Sequence, residues 1–426
     1  MTTKTPNVGT PVYTVLPIAI DKLYAEPFLN TFDPHKQDPS MDCLIKVTTA
    51  ILDYSTNIGV PNLEIDWSFT SLGANNFAYY VENPDGGDPT QAQYTRPDKY
   101  GNVVNSTDSN GVITIYVGCF SKIISSLQMT APDIDQTFPV TMVFCDFEGP
   151  ADDLDAPPVP APIKVPYLYD KEGLWKEYSI STNPDTNNIP QSTVMIATYM
   201  EGNPKTGGLI DVFQAPTGTA LKFPMPYLMM NGDAEMDNSV RYLQFKGGTG
   251  TLSKKATFAA DGTPVQQPNP GRRIPGNWES LLPVYKWNQD PKFHNLNDSD
   301  VSRDKSCIEF LIPPWPNFGL YKAGVDLTVT LHANGWFGAT GEKHANPIPI
   351  TQPVEEWQLD EDYPGMIYAP FSVDLLRDYD SDPKGDDTYG YMYLSFSVGE
   401  VHYSNYNWFN IEFTADLGKK PSRWAT

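Results

Sequence analysis

The sequence predicts an all-β protein built from antiparallel β-sandwiches, and three observations lead to that prediction. Apolar and polar residues alternate along short runs, as in NLEIDWSFTSL (62–72), where Leu63, Ile65, Trp67 and Phe69 fall on one face. Aromatic residues make up 12% of the chain, with 24 Tyr, 20 Phe and 9 Trp, a supply that favours strands. The 40 Pro and 31 Gly are spread along all 426 residues, which breaks the chain into short elements joined by turns.

In chain order, DCLIKVTTAILDY (42–54) and residues 62–72 are the first strand candidates. A polar, turn-rich stretch (83–102) separates them from GVITIYVGCF (111–120) and FPVTMVFCDF (138–147), both rich in β-branched and aromatic residues. The segment DAPPVPAPIKVP (155–166) holds Pro157, Pro158, Pro160, Pro162 and Pro166, which bars a helix and suits a stiff linker. The expected organisation is therefore a first sandwich over 1–156, a linker over 157–166 and a second sandwich over 167–426. Within the second, the strand candidates are 192–200, 208–213, 220–225, 240–245, 307–312, 326–333, 390–398 and 407–415. In CIEFLI (307–312), Ile308, Phe310 and Ile312 face one way. Helical spacing is confined to two short candidates, KIISSLQM (122–129) and APFSVDLLRDY (369–379). Long polar loops such as 254–280 favour decorated sandwiches over small closed barrels. One internal echo links ALKFPMPYLMMNG (220–232) to CIEFLIPPWPNFG (307–319), and similar strand ends explain it better than shared ancestry.

The net charge of −23 disfavours sequence-independent nucleic-acid binding, because such a surface repels phosphates. The start, MTTKTPNVGTPVY, lacks a signal pattern, and no apolar run is long enough to span a membrane, so synthesis in the cytoplasm is expected. Cys43, Cys119, Cys145 and Cys307 form no CxxC pair and sit in apolar runs, so they are read as reduced core residues.

Catalytic motifs are missing from the sequence. The five histidines (His35, His294, His332, His344 and His402) share no metal or nucleophile motif. The glycine-rich GGTGTLSKK (247–255) lacks phosphate-loop spacing and reads as a hairpin. Glu355, Glu356, Asp360, Glu361 and Asp362 could supply a paired-carboxylate site, but acids are too abundant for that to be informative. The chain is therefore expected not to be an enzyme. Calcium is the one ion for which ligands stand out. Asp378, Asp380 and Asp382 alternate in RDYDSDPKGDD (377–387), with a solvated acidic loop as the favoured alternative. EGPADDLD (148–155) is a weaker case of the same kind. No other cofactor is expected. Aromatic loops such as PPWPNFGLY (313–321) and HYSNYNWFN (402–410) could face a partner or cap the sandwich ends.

The run LQMTAPDIDQTFPVTMVFCDFEGPADDLDAPP (127–158) resembles the end of a jelly-roll domain in picorna-like virus capsid proteins. ALKFPMPYL (220–228) and CIEFLIPPW (307–315) resemble that family's strand ending in an Ile-Pro-aromatic turn. The runs 324–338 and 390–417 resemble its later strands. Together these cover about a quarter of the chain. The resemblance implies jelly-roll capsid subunits in an icosahedral virion shell. The implied partners are copies of the chain, other capsid subunits and a host receptor, and there are no catalytic residues to carry over. The alternative reading is a β-sandwich spike, adhesin or lectin-like receptor-binding protein.

Overall fold

The structure is a computed structural model. It describes residues 13–15, 18–56, 58–69, 76–81, 93–95, 102–131, 139–165, 175–181, 193–202, 208–216, 218, 220–232, 237–264, 283–288, 295–302, 306–312, 326–337, 342–363, 365–376, 379, 390–398, 402–404 and 407–412. It divides into two compact units, the first formed chiefly by residues 1–149 and the second chiefly by residues 150–426.

The first unit contains β1 (Tyr13–Val15), β2 (Ala19–Ile20), β3 (Tyr24–Ala25), β4 (Leu44–Asp53), β5 (Glu64–Phe69) and β6 (Phe77–Val81). Then follow β7 (Gln93–Thr95), β8 (Val103–Ser106), β9 (Val112–Cys119), β10 (Ile123–Thr130) and β11 (Val140–Phe144). One sheet runs β1-β4-β9-β6-β7 and the other β3-β11-β10-β5-β8. Alternation in β5 buries Ile65 and Trp67 and leaves Glu64 and Asp66 exposed, because a pleated strand sends successive side chains to opposite faces.

The second unit begins with β12 (Ile163–Lys164), β13 (Trp175–Ser181), β14 (Thr193–Glu201), β15 (Gly208–Pro216) and β16 (Ala220–Pro226). These are followed by β17 (Asn238–Lys246), β18 (Thr249–Leu252), β19 (Ala256–Phe258) and β20 (Ala260–Asp261). Its later strands are β21 (Val284–Tyr285), β22 (Asn295–Asn297), β23 (Cys307–Ile312), β24 (Asp326–Phe337) and β25 (Glu342–Pro353). It closes with β26 (Ile367–Ser372), β27 (Gly390–Val398), β28 (His402–Tyr403) and β29 (Asn407–Glu412). The segment expected to hold one sandwich thus carries two sets of sandwich pairings. In one, β13 pairs with β16, β15-β14-β17-β18 form a sheet, and β19 joins β17. In the other, β21-β23-β26 and β22-β29-β27-β24-β25 are the two sheets. Residues 157–166, expected as a linker, contribute β12.

One pairing scheme occurs three times. The strand pairs β4–β9, β13–β16 and β23–β26 hold one sheet of each set. In the other sheet a central strand joins one from late in the set, as β5–β10, β14–β17 and β24–β27. A parallel pair then ties a short early strand to the last strand: β3 with β11, β12 with β20, and β22 with β29. This is the Greek-key order of an immunoglobulin-like sandwich. The antiparallel sandwich expected from the sequence is therefore present, but these pairings do not follow the jelly-roll order. Alternation sets which face of a strand is buried and leaves its neighbours open.

The segment 122–129, expected as a helix, is β10, a strand held between β11 and β5. Pairing on both edges overrides the short helical spacing of this run. The other helix candidate, 369–379, starts in β26 and, among its described residues, holds a 3-10 turn at Val373–Leu375. The two echoing runs are β16 and β23, which occupy different places in the scheme, as expected of similar strand ends. The glycine-rich run 247–255 begins as a hairpin between β17 and β18, with Gly247 and Gly248 at φ of 59° and 87°, as a two-residue turn of the primed type needs. Cys119, Cys145 and Cys307 are buried and Cys43 is half-buried, all as free thiols. Among the described residues no helix is long and apolar enough to cross a membrane.

In the first unit Gly59 lies against the turn at 108–111. A Cβ on Gly59 would fall 1.8 Å from the Asn110 carbonyl oxygen, a backbone atom that cannot swing away. Gly59→Ala is expected to destabilise this unit by about 1–3 kcal/mol, as overpacking does, measured by urea unfolding.

Candidate functional site

The densest cluster of buried charge among the described residues lies on the outward face of the β21-β23-β26 sheet. On the inward face, Phe310 meets the rings of Tyr285, Phe371 and Phe409 at 5.6–6.4 Å between centroids. That packing turns Cys307, Glu309 and Leu311 to the other side of β23, yet all six residues of the strand are buried. Glu309 is therefore covered by polar partners rather than by water. Lys286 follows β21 directly, and its backbone N–H donates to the Glu309 carbonyl at 2.9 Å.

The cover comes from two segments. Trp287 Nε1 donates to Glu309 Oε2 at 2.9 Å, and the Tyr368 hydroxyl donates to Glu309 Oε1 at 2.8 Å. Residues 357–363 run beside β26: Tyr368 N donates to the Gln358 carbonyl, Asp360 N to that of Met366, and Leu359 bridges Ile367. Trp357 anchors this run by donating its Nε1 to the carbonyls of Leu327 and Gln352, at 3.3 Å each. The run brings Asp360 and Asp362 to Lys286. Lys286 Nζ lies 2.8 Å from Asp360 Oδ2 and 3.1 Å from Asp362 Oδ2. The side chains of Lys286 and Asp360 are 6% and 3% exposed, whereas that of Asp362 is 65% exposed, so the first pair is the buried one.

The electrostatics follow from this enclosure. Burial alone would lower the Lys286 pKa, but the hydrogen bonds it donates to Asp360 and Asp362 outweigh that and hold the ammonium above the ordinary lysine value. Burial would likewise raise Asp360. Its bond to Lys286, together with backbone N–H donors from Asp362 and Tyr363 at 3.0 and 3.1 Å to Oδ1, holds it below the ordinary carboxyl value. Burial and the bond to Glu309 push the Tyr368 hydroxyl well above the usual phenol range. Lys286 Nζ also stands over the rings of Trp287 (5.0 Å), Tyr368 (5.5 Å) and Tyr363 (6.0 Å), where cation–π attraction adds to the ion pair. Tyr368→Phe removes a buried donor from Glu309 and is expected to cost about 1–3 kcal/mol in equilibrium unfolding.

Among the sequence-predicted residues, Asp378, Asp380 and Asp382 lie outside the described residues, so the calcium loop has no described geometry. In the weaker acidic case, Asp152 accepts from Leu252 N at 2.7 Å and Asp155 pairs with Lys254 at 3.4 Å, both within the second unit. No group of three or more metal-ligating side chains is found among the described residues. Of the carboxylates considered for paired-acid chemistry, Asp360 and Asp362 converge, but on an amine and not on each other. Among the histidines, His332 is buried in β24, His35 packs its ring edge-on to Tyr94, and His294 lies outside the described residues. The aromatic run 313–321 also lies outside them. Burial pushes the Cys119 thiol up to about 12, so it offers no thiolate near neutral pH.

Sequence reasoning missed Lys286, Trp287, Glu309 and Tyr368. The one available signal was an acid inside an otherwise apolar six-residue strand. Alternation puts Glu309 on the face opposite Ile308, Phe310 and Ile312, and that face is covered as well.

No protein-family model matches the sequence, and no curated protein is similar to it. Among solved structures, the D0–D1 domain of intimin aligns with 58% of this chain and 100% of its own, at 9% identity and a TM-score of 0.23. Invasin, a bacterial integrin-binding protein, aligns with 94% of this chain and 60% of its own, at 10% identity and a TM-score of 0.20. A C-terminal 282-residue fragment of intimin, solved with the intimin-binding domain of its translocated receptor, aligns with 68% of this chain and 70% of its own. Its identity is 12% and its TM-score 0.20. Superpositions this loose leave the fold assignment resting on the strand pairings.

Proposed function

We propose that this chain is a β-sandwich recognition protein that binds a macromolecular receptor through the surfaces of its modules. The observation that supports the reading is the threefold recurrence of one immunoglobulin-like pairing scheme along the chain. Each sandwich buries the alternating side chains of its own strands, which leaves loops and outward faces to differ between modules. On the outward face of the β21-β23-β26 sheet, Trp287 and Leu359 are 58% and 59% exposed beside a rigid buried cluster. Large apolar side chains held by a fixed scaffold suit recognition, because little entropy is lost when they dock. The capsid reading rests on strand patterns whose jelly-roll order these pairings do not follow, so recognition is preferred.

Two measurements test it. Light scattering and electron microscopy of the purified chain are expected to give discrete monomers or small oligomers. Fluorescently labelled chain is expected to bind intact cells saturably and to be displaced by unlabelled chain. Closed shells of uniform size, with no saturable binding on any cell type tested, would overturn the reading in favour of a capsid subunit.

A further inference from the structure

We propose that Lys286 and Asp360 condense into an intramolecular amide, with Glu309 carrying the proton between them. The two reacting groups stand 74 positions apart in the chain and 2.8 Å apart in the fold, and both side chains are buried. That hydrogen bond holds Nζ beside the Asp360 carboxyl, and reactants held in a productive orientation reach an effective concentration of about 10⁵–10⁸ M.

The site holds each part the reaction needs. Lys286 first gives one ammonium hydrogen to Glu309, and the amine so formed attacks Cγ of the Asp360 carboxyl and forms the new C–N bond. Negative charge then develops on Oδ1, where the backbone N–H groups of Asp362 and Tyr363 already point at 3.0 and 3.1 Å. Donors fixed in advance at a developing oxyanion are the strongest single aid to acyl transfer. Oδ2 departs with two of the three ammonium hydrogens as one molecule of water. The C–O bond breaks, the third hydrogen stays on the amide nitrogen, and no oxidant or co-reactant is required. Glu309 accepts one of the departing protons and returns it to the leaving oxygen. Its carboxylate is oriented by Trp287 Nε1 and the Tyr368 hydroxyl, and the rings of those two residues also wall Lys286 Nζ.

The equilibrium favours condensation for a physical reason. In water an ion pair outlasts an amide because both charges are hydrated. In this enclosure that hydration is lost, and a neutral amide removes the desolvation cost of both charges. The bond ties the residue after β21 to the segment that precedes β26, and so closes the sandwich at its first strand.

Intact-mass spectrometry of the purified full chain under denaturing conditions tests the proposal. The chain is expected to weigh one water less than its sequence requires. Its tryptic digest is expected to contain a branched peptide joining the Lys286 and Asp360 segments, with no cleavage after Lys286. Lys286→Arg keeps the charge and is expected to restore the full mass, and so is Glu309→Gln. A chain of full sequence mass that is cleaved after Lys286 would overturn the proposal, whatever the variants do. A branched peptide that persists in Glu309→Gln would overturn the role given to Glu309.

Discussion

Replacing Lys286 with methionine is expected to destabilise the second unit by about 3–5 kcal/mol, the cost of stranding a buried carboxylate without its cation. Asp360 would keep its two backbone donors but lose the ammonium at 2.8 Å, and Glu309 would lose a nearby positive charge. Because each charge is tolerable only beside the other, the double variant Lys286→Met/Asp360→Leu is expected to recover most of the loss. A double-mutant cycle in urea unfolding measures this directly. Equal and additive losses from the two single variants would mean that the pair is not coupled. An amide joining the two residues would add the same loss to both single variants and to the double variant, so recovery is read against the single variants and the sign of the coupling is unchanged.

Trp67→Ala is expected to cost the first unit about 3–5 kcal/mol, in the range for emptying a fully buried aromatic site. Trp67 is 0% exposed, sits on β5 opposite Met129 and Val103, and donates its Nε1 to Asn105 at 2.8 Å. The variant loses ring contacts and leaves an amide oxygen without its donor. Hydrogen exchange complements unfolding curves here, because it assigns the loss to particular strands. Faster exchange is expected in β4, β5, β9 and β10, whereas Lys286→Met should act on β21, β23 and β26. Exchange that rises uniformly along the chain in either variant would count against separate folding units.

Much of the strand inventory was legible in the sequence. The runs at 42–54, 62–72, 111–120 and 307–312 became β4, β5, β9 and β23, because a pleated backbone imposes a two-residue period on any half-buried strand. The misreading at 122–129 has a definite origin. Eight residues are too few to separate a helical from a two-residue period when Ser and Gln interrupt the apolar ones. The parallel edge pairs were invisible, since β3, β12 and β20 are two residues each and too short to show any period. The site was half legible: Asp360 and Asp362 were among the acids noted, but nothing near them in sequence pointed to Lys286 or Glu309.

By itself the sequence determined which segments are strands and which of their faces avoid water, because both follow from side chains one or two residues apart. Only the tertiary structure decided which strands are neighbours, that one pairing scheme recurs three times, and that an amine meets a carboxylate 74 residues away. Those outcomes depend on backbone ladders that almost any alternating strand can join, so the pattern within a strand does not name its partner.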